Sequence, residues 1–312
     1  MHLVVTGAAG FIGRAVVEAA LARGHQVTGV VRTPNGTLPA GVREAVADLA
    51  RPGPVAPHLA GADAVIHCAA SLGGGEAEQQ RDTVLATAEL VRAMTDAGVG
   101  RIVLSSSMAV YDFARIEVGA LLDESSPLDD AGRSRGPYIA AKRAQEAAVS
   151  DPAAGLDWRI LRPGLVFGPG RTWFHDLGLA LHPRLWVSLA GAARLPLTYV
   201  HNCASAFVAA AESDAGPTTA LIVDDDLPTR RDYLSALARH ARPTPVVLDV
   251  SWAVASGGSR IAGLVGVTPG VLHPERLAAR CKPLRYSNAA AKAAWGWWPG
   301  VGMGDALRQS IG

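Results

Sequence analysis

Cysteine and lysine are scarce in this chain of 312 residues, and neither sign of charge is in excess. The three cysteines, Cys68, Cys203 and Cys281, are too widely spaced for a zinc site and too few for a disulfide framework. The nine histidines form no His-Glu-x-x-His pattern, so no metal is expected. With 29 basic and 28 acidic residues the net charge is +1, which argues against nucleic acid as a partner.

Long uncharged runs are also missing, since none reaches the roughly 18 residues that a membrane-spanning helix needs. The apolar first residues lack the basic start of a signal peptide and are interrupted by Gly7, Gly10 and Gly13. We therefore expect a cytoplasmic protein without a membrane partner. Apolar residues, in contrast, make up 49% of the chain, which is enough for a large folded core.

Short apolar runs alternate with longer alanine-rich stretches in the first half of the chain. The runs predict strands at 2–6, 27–31, 42–47, 64–67, 101–105 and from 159 onward. The alanine-rich stretches predict helices at 12–23, 76–97 and 137–149. Fully apolar strands that alternate with helices indicate an α/β fold with a Rossmann-type doubly wound parallel sheet. Functional residues are expected beyond the carboxyl ends of its strands.

A glycine-rich turn, TGAAGFIG at 6–13, joins the first predicted strand to the first predicted helix. Glycine lets the backbone approach a diphosphate closely, and the free N–H groups at a helix start face the negative charge. The turn therefore predicts a dinucleotide site that contains Gly7, Gly10, Phe11, Ile12 and Gly13.

The end of the second predicted strand indicates which dinucleotide is favoured. A site for NAD often places a carboxylate there to bind the ribose 2′-hydroxyl, whereas this sequence has Arg32. An arginine can pair instead with a 2′-phosphate, and Arg14 is placed to assist it. We expect NADP in preference to NAD, which stays possible, with Asp48 and Leu49 at the adenine edge.

Composition changes after Pro163, where proline, glycine and tryptophan become frequent and the alternation becomes irregular. This change predicts a dinucleotide-binding Rossmann domain at 1–163, to which the chain returns around 199–225. The segments 164–198 and 226–312 are predicted to form a smaller, mixed substrate-binding region.

We expect the consecutive carboxylates Asp224, Asp225 and Asp226 to be solvated in a loop rather than to bind a metal.

Tyr138 and Lys142 stand four residues apart, on one face of a predicted helix. A second motif, SSSMAVY at 105–111, follows the fifth predicted strand at the ligand-facing edge of the sheet. With TGAAGFIG, ADL at 47–49, VIHCAA at 65–70 and LRPGLVFGPG at 161–170, these segments resemble the extended short-chain dehydrogenase/reductase family, also called the NAD-dependent epimerase/dehydratase family. The resemblance spans nearly the whole chain and implies an NAD(P)-dependent enzyme that forms a homodimer.

The resemblance also implies roles for single residues. Tyr138 would be the general acid/base, with its pKa lowered by Lys142, which would also hold the nicotinamide ribose. Ser107, or alternatively Ser106, would hydrogen-bond the reacting oxygen. The cofactor would further contact Cys68, Ala69, Ala70, Pro163 and Val166. The substrate would contact Ser107, Met108, Tyr138, Leu165 and Trp173. Thr83 departs from the family because an asparagine is expected there, and a threonine lacks its amide geometry.

The reaction stays open among several alternatives. Met108 and Ala109 replace the acidic pair of the family's dehydratases, so dehydration is not expected. Leu165 replaces a sugar-binding asparagine, which favours hydride transfer between nicotinamide and a hydroxyl or ketone carbon of a small, moderately apolar substrate. A nucleotide-sugar epimerase is the alternative, because three basic residues are placed to grip a diphosphate: Arg171, His175 and Arg184. A non-catalytic NADP-binding sensor is the second alternative.

Overall fold

The computed structural model describes residues 1–34, 36–130, 135–174, 177–264 and 273–311. Seven strands, each parallel to its neighbours, form the central sheet: β1 (His2–Thr6), β2 (Gln26–Val31), β3 (Arg43–Val46), β4 (Ala64–His67), β5 (Arg101–Ser105), β7 (Asp157–Pro163) and β12 (Thr218–Ile222). Their order across the sheet is β12-β7-β5-β4-β1-β2-β3. The predicted Rossmann-type doubly wound parallel sheet is confirmed.

Helices cover both faces of this sheet and create one core on each. On one face α1 (Phe11–Ala22) packs against α5 (Val200–Glu212). On the other lie α3 (Ala86–Ala97) and α4 (Pro137–Val149). Leu3 and Val5 of β1 belong to the first core and Val4 to the second, because successive strand side chains point to opposite faces. This two-sided burial explains why the central strands β1 and β4 are almost entirely apolar.

The helix predicted at 76–97 is present, but it is not regular. It begins as α2 (Glu76–Gln79), passes through a π-helical turn at Gln80–Leu85, and continues as α3. A π-helical turn accommodates an additional residue and so changes which side chains face a given direction. Hydrophobic periodicity did not reveal this turn, because the pattern on either side is that of an ordinary helix.

A smaller region of mixed sheets follows, as the sequence predicts. Its largest sheet contains β9 (Gly178–His182), β10 (Leu185–Leu189) and β13 (Val246–Val250), with β10 antiparallel to β9 and parallel to β13. Two parallel pairs are β8 (Leu165–Phe167) with β11 (Leu197–Tyr199) and β6 (Leu121–Leu122) with β14 (Arg285–Tyr286). The remaining helices are α6 (Arg230–His240), α7 (Trp252–Leu264), α8 (Pro274–Cys281), α9 (Ala289–Trp295) and α10 (Met303–Ile311).

The expectation that the three consecutive aspartates are solvated is wrong for Asp224. This side chain is 3% exposed and accepts hydrogen bonds from the Tyr199 amide at 2.9 Å and from Asn202 Nδ2 at 3.0 Å. Burial raises its pKa to about 7. Asp225 pairs with Lys292 at 2.6 Å. The bonds of Asp224 tie the loop after β12 to the start of α5, and the pair formed by Asp225 ties it to Lys292, in the later segment Ala289–Trp295. Neither contact is visible in the sequence around the three aspartates.

The glycine turn is packed too closely to admit a side chain at Gly13. A methyl group there would lie 2.1 Å from the carbonyl oxygen of Gly7. We expect Gly13→Ala to lower the free energy of unfolding by about 1–3 kcal/mol, measured by urea denaturation. Gly100→Ala is the matched control, because nothing lies within 4 Å of its added methyl group. Equal losses in both variants would contradict the close-packing argument.

Candidate active site

A cavity of about 530 Å³ lies at the carboxyl ends of the central strands. Residues from segments that are distant in sequence meet along its wall, as expected where parallel strands end. The predicted site residues that line it are Gly7, Gly10, Phe11, Ile12, Gly13, Arg32, Asp48, Leu49, Cys68, Ala69, Ala70, Ser107, Tyr138, Lys142, Pro163, Leu165 and Val166.

The glycine turn forms one wall of the cavity. Gly10 precedes α1 without a side-chain cap, so the N–H groups of the first helical turn are open toward a ligand. Gly7 has a left-handed φ of 66°, and a methyl group on it would lie 2.8 Å from the amide nitrogen of Ala69. Bare backbone beside an uncapped helix start fits the diphosphate of a dinucleotide.

Four side chains of alternating charge lie at the edge of the cavity beyond the glycine turn. Arg32 pairs with Asp82 at 3.1 Å, and Asp82 also pairs with Arg81. Arg81 continues the chain to Asp48 at 2.6 Å. The sequence singled out Arg32 and Asp48, but Arg81 and Asp82 were missed because they lie on the unpredicted π-helical turn.

Arg14 takes no part in this group. It pairs with Glu18 one turn further along α1, at 3.2 Å, and does not line the cavity. The Arg32 side chain, in contrast, is 59% exposed beside the cavity. Of the two arginines considered for a 2′-phosphate, only Arg32 is therefore in a position to meet one.

Ser107 and Tyr138 meet at another part of the wall. Ser107 follows β5, and its Oγ accepts a hydrogen bond from the Ala109 amide at 3.1 Å. Tyr138 is the second residue of α4 and lines the same cavity as Ser107, whose side chain is close enough to influence the phenol. Burial raises the pKa of Tyr138, and the opposing effects of Ser107 and Arg171 only reduce that rise. The phenol is therefore protonated at neutral pH.

Lys142 lies one turn after Tyr138 and is 3% exposed. Its ammonium donates to the Ser105 carbonyl oxygen at 2.7 Å and to Gln145 Oε1 at 2.9 Å. Burial lowers the pKa of Lys142 to about 8. The expectation that Lys142 lowers the pKa of Tyr138 is not met in this structure, because burial dominates at the phenol and Lys142 is not among the groups that shift it.

Neutral hydrogen-bonding groups fix Lys142 from the side of the sheet. Gln145, which accepts from Lys142, donates through Nε2 to Thr87 Oγ1 at 2.6 Å. His67 lies between the hydroxyls of Thr6 and Thr87, at 2.7 Å and 3.0 Å. Burial and the charge of Lys142 lower the pKa of His67 to about 3, so the imidazole is neutral. The position of the lysine therefore depends on dipoles rather than on a carboxylate.

Thr83, the departure from the family pattern, does not line the cavity. Its hydroxyl accepts a hydrogen bond from the Ser71 amide at 3.0 Å and donates to Gln79 Oε1 at 3.2 Å. Its carbonyl oxygen accepts from the Thr87 hydroxyl at 2.7 Å. The threonine thus joins the loop after β4 to the π-helical turn.

A buried cluster that the sequence did not predict lies directly behind the site. Glu146 of α4 accepts two hydrogen bonds from Arg162 of β7, at 2.9 Å and 2.8 Å, and one from Ser106 at 2.5 Å. The Arg162 guanidinium also lies over the Tyr111 ring, 4.9 Å from its centroid. Burial alone would raise the pKa of Glu146, but Arg162 outweighs it and the pKa is lowered. The cluster ties β5, α4 and β7 together.

Two predicted substrate contacts do not line the cavity. Met108 is buried in a hydrophobic cluster, and Trp173 lies edge-on to Trp186, with ring centroids 4.9 Å apart. His175 lies outside the described residues, and Arg184 does not line the cavity. The apolar part of the wall is formed instead by Leu72, Leu165, Val166 and Phe174.

Across the described ranges, no group of three or more His, Cys, Asp and Glu side chains is suited to a metal ion. No helix in this part of the chain combines the length and apolar character of a membrane span.

Comparisons with known proteins agree with this geometry. A family model described as NAD(P)H-binding matches residues 7–172. A 2-alkyl-3-oxoalkanoate reductase from Stenotrophomonas maltophilia (strain K279a) is 28% identical over a match that covers 99% of this chain and 98% of the reductase. A 3-beta-hydroxysteroid dehydrogenase from Mycolicibacterium neoaurum is 32% identical, over 73% of this chain and 66% of its own. The solved UDP-glucuronic acid 4-epimerase from Bacillus cereus with NAD has a TM-score of 0.74 at 20% identity, covering 100% of this chain and 97% of that chain, a likeness of fold alone.

Proposed function

This chain belongs to the extended short-chain dehydrogenase/reductase family of NAD(P)-binding enzymes, and we propose that it reduces a ketone on a small, moderately apolar substrate. The placement of Ser107, Tyr138 and Lys142 in the lining of one cavity carries the proposal. Hydroxyl, phenol and ammonium groups are the donors that a carbonyl oxygen and a ribose require.

In this mechanism Ser107 and Tyr138 touch the reacting oxygen. When bound, the reduced nicotinamide supplies hydride to the carbonyl carbon. The Ser107 hydroxyl orients the oxygen, and the Tyr138 phenol gives it a proton as negative charge develops. Since burial raises the pKa of Tyr138, this proton is present at neutral pH, as reduction requires. An ammonium has three N–H donors and Lys142 uses two of them within the protein, so one remains for a ribose hydroxyl.

The apolar wall favours ketone reduction over epimerisation of a nucleotide sugar. Leu72, Leu165 and Phe174 offer no hydrogen bonds, whereas a sugar buried in a pocket needs a partner for each hydroxyl. The names of two relatives, the 2-alkyl-3-oxoalkanoate reductase and the 3-beta-hydroxysteroid dehydrogenase, describe keto and hydroxy chemistry of the proposed kind.

The experiment that tests this proposal measures loss of dihydronicotinamide absorbance with a panel of neutral 3-oxo esters and cyclic ketones. UDP-sugars are supplied in parallel, and their conversion is followed by chromatography. We expect stoichiometric consumption of reduced cofactor with at least one ketone. Interconversion of UDP-sugars without net consumption of cofactor, together with inert ketones, would contradict it.

We also propose NADP(H) as the preferred cofactor, with Arg32 paired to the 2′-phosphate. Arg32→Gln is then expected to raise the dissociation constant of NADPH by about 10–100-fold, because a charged hydrogen bond contributes roughly 1.5–3 kcal/mol. The dissociation constant of NADH should be unchanged. Fluorescence titration measures both constants. Arg43→Gln is the matched control, since Arg43 is exposed at the amino end of β3, whereas the cavity lies at the carboxyl ends of the strands.

Asp82→Asn should act in the opposite direction to Arg32→Gln. Its carboxylate pairs with Arg32 and carries the same sign of charge as a phosphate, so its neutralisation should tighten the binding of NADPH and leave that of NADH unchanged. If either variant changed the dissociation constants of NADPH and NADH by the same factor, Arg32 and Asp82 would not distinguish the 2′-phosphate from a 2′-hydroxyl.

The division of the chain is retained as a proposal. Residues 1–163, with the return at 199–225, would hold the dinucleotide, while 164–198 and 226–312 would face the substrate. The positions of Tyr138 and Leu165, on either side of that boundary and on one cavity wall, support it. The homodimer stays a prediction from the family resemblance, and the cytoplasmic location stays a prediction from the sequence.

A further inference from the structure

Arg171 lies at the apolar part of the cavity wall. It closes a tight turn after β8, in which Gly168 and Arg171 exchange backbone hydrogen bonds at 3.2 Å and 2.9 Å. Its guanidinium lies over the ring of Phe11, 5.2 Å from the centroid. Because the turn fixes the backbone and the aromatic ring supports the guanidinium, the charge is held at the cavity.

The three cationic side chains that line the cavity, within the described ranges, differ in their partners. Arg32 has the carboxylate of Asp82, and Lys142 has two carbonyl-type oxygens. No carboxylate of the described residues lies within ion-pair distance of Arg171, which is exposed toward the cavity. A guanidinium with five donors and no anion is suited to a carboxylate or phosphate oxygen pair.

The charge of Arg171 is close enough to the reacting end of the cavity to act on Tyr138, whose pKa it lowers against the larger effect of burial. Leu165, Val166 and Phe174, which carry no hydrogen-bonding side chain, line the same cavity. The lining of this one cavity therefore includes a proton donor for a carbonyl oxygen, a cation, and apolar side chains.

We propose that Arg171 binds an anionic oxygen pair of the ligand, and that this pair is the carboxylate of a substrate whose ketone is reduced at Ser107 and Tyr138. This inference rests on the proposed function and adds the substrate class, which is the 3-oxo acids with alkyl substituents. The carbonyl oxygen meets the hydroxyl and the phenol, the carboxylate meets Arg171, and the alkyl chains lie on Leu165 and Phe174. The diphosphate of the dinucleotide has the same ligand chemistry, and the experiment below separates the two sources.

The test compares a 2-alkyl-3-hydroxy acid with its methyl ester, both oxidised with NADP⁺, because the hydroxy acid does not lose carbon dioxide as a 3-oxo acid does. We expect Arg171→Met to raise the KM for the acid by about 10–100-fold and to leave the KM for the ester unchanged, since only the acid loses a charged hydrogen bond. Arg171→Lys should recover part of the loss. Arg43→Met, on the exposed edge strand, should change neither KM.

Calorimetry supplies a readout that does not depend on turnover. The hydroxy acid should bind Arg171→Met about 10–100-fold more weakly than wild type, and the dissociation constant of NADPH should be equal for the two proteins. Equal handling of acid and ester by wild type would overturn the inference while leaving ketone reduction in place. Weaker NADPH binding in Arg171→Met, with acid and ester affected equally, would overturn it in favour of the diphosphate. If wild type turns over neither acid, ester nor neutral ketones, the proposed function itself fails.

Discussion

Replacing Tyr138 with phenylalanine is expected to lower kcat by about 10²–10⁴-fold while the dissociation constant of NADPH stays the same. The variant removes a single oxygen, the phenolic one, and leaves the ring to fill its place in α4. Steady-state kinetics gives the first quantity and fluorescence titration the second. Because the raised pKa keeps the phenol protonated, the wild-type rate of ketone reduction should not fall through loss of the phenol's proton at neutral pH, and a fall near pH 8 is expected from Lys142, whose pKa burial lowers to about 8.

Tyr199→Phe is the matched control for this variant. Its hydroxyl donates to Gln309 Oε1 at 2.7 Å and does not line the cavity, so its loss should leave kcat unchanged. Equal activity of Tyr138→Phe and wild type would exclude the phenol as the proton donor. Loss of NADPH binding in Tyr138→Phe would instead mean that the side chain maintains the cavity rather than the chemistry.

Glu146→Gln is expected to lower the free energy of unfolding by about 3–5 kcal/mol, since it leaves the buried Arg162 without a counter-charge. Urea denaturation measures the loss. Replacing both partners, as Glu146→Leu with Arg162→Met, should recover most of it, because no buried charge remains. Glu18→Gln, which opens the exposed pair with Arg14, is the control and should have little effect.

The dependence on pH gives a second check of the same pair. The folded-state pKa of Glu146 is depressed, so its stabilisation is fully present above the unfolded pKa of about 4.3. The stabilisation is lost as the pH falls through the lower, folded value. Wild type should therefore lose stability over this acidic range more steeply than Glu146→Gln. Identical slopes, or a double variant no more stable than the single one, would argue against a buried charge pair.

The sequence predicted the first half of the fold well, because there the residues that form an apolar run in the sequence are also the residues that are buried in the sheet. The run at β1 is apolar on both faces, and its glycine turn and α1 follow directly, so the strand, the turn and the cavity wall could all be inferred together. Tyr138 and Lys142 were found for the same reason, since four residues along a helix place two side chains on one face.

The features that the sequence did not reveal depend on contacts between distant segments. Glu146 and Arg162 are unremarkable in their local surroundings, and only the packing of α4 against β7 makes them a pair. The reading of Lys142 as an activator of Tyr138 considered charge alone, whereas burial is the dominant influence on the phenol. Likewise, β9 and β13 are the edge strands of a small mixed sheet and are largely open to solvent, so burial on two faces does not constrain their sequences.

The π-helical turn at Gln80–Leu85 has a consequence for how this protein could diverge. An α-helix advances about 100° per residue, so deletion of one residue within the turn would swing Arg81 and Asp82 by about that angle relative to α3. Their charges would then no longer face Asp48 and Arg32, although every side chain of the group would still be encoded. If Arg32 selects the dinucleotide as we propose, a change in length alone, without any substitution, would alter which dinucleotide binds more tightly.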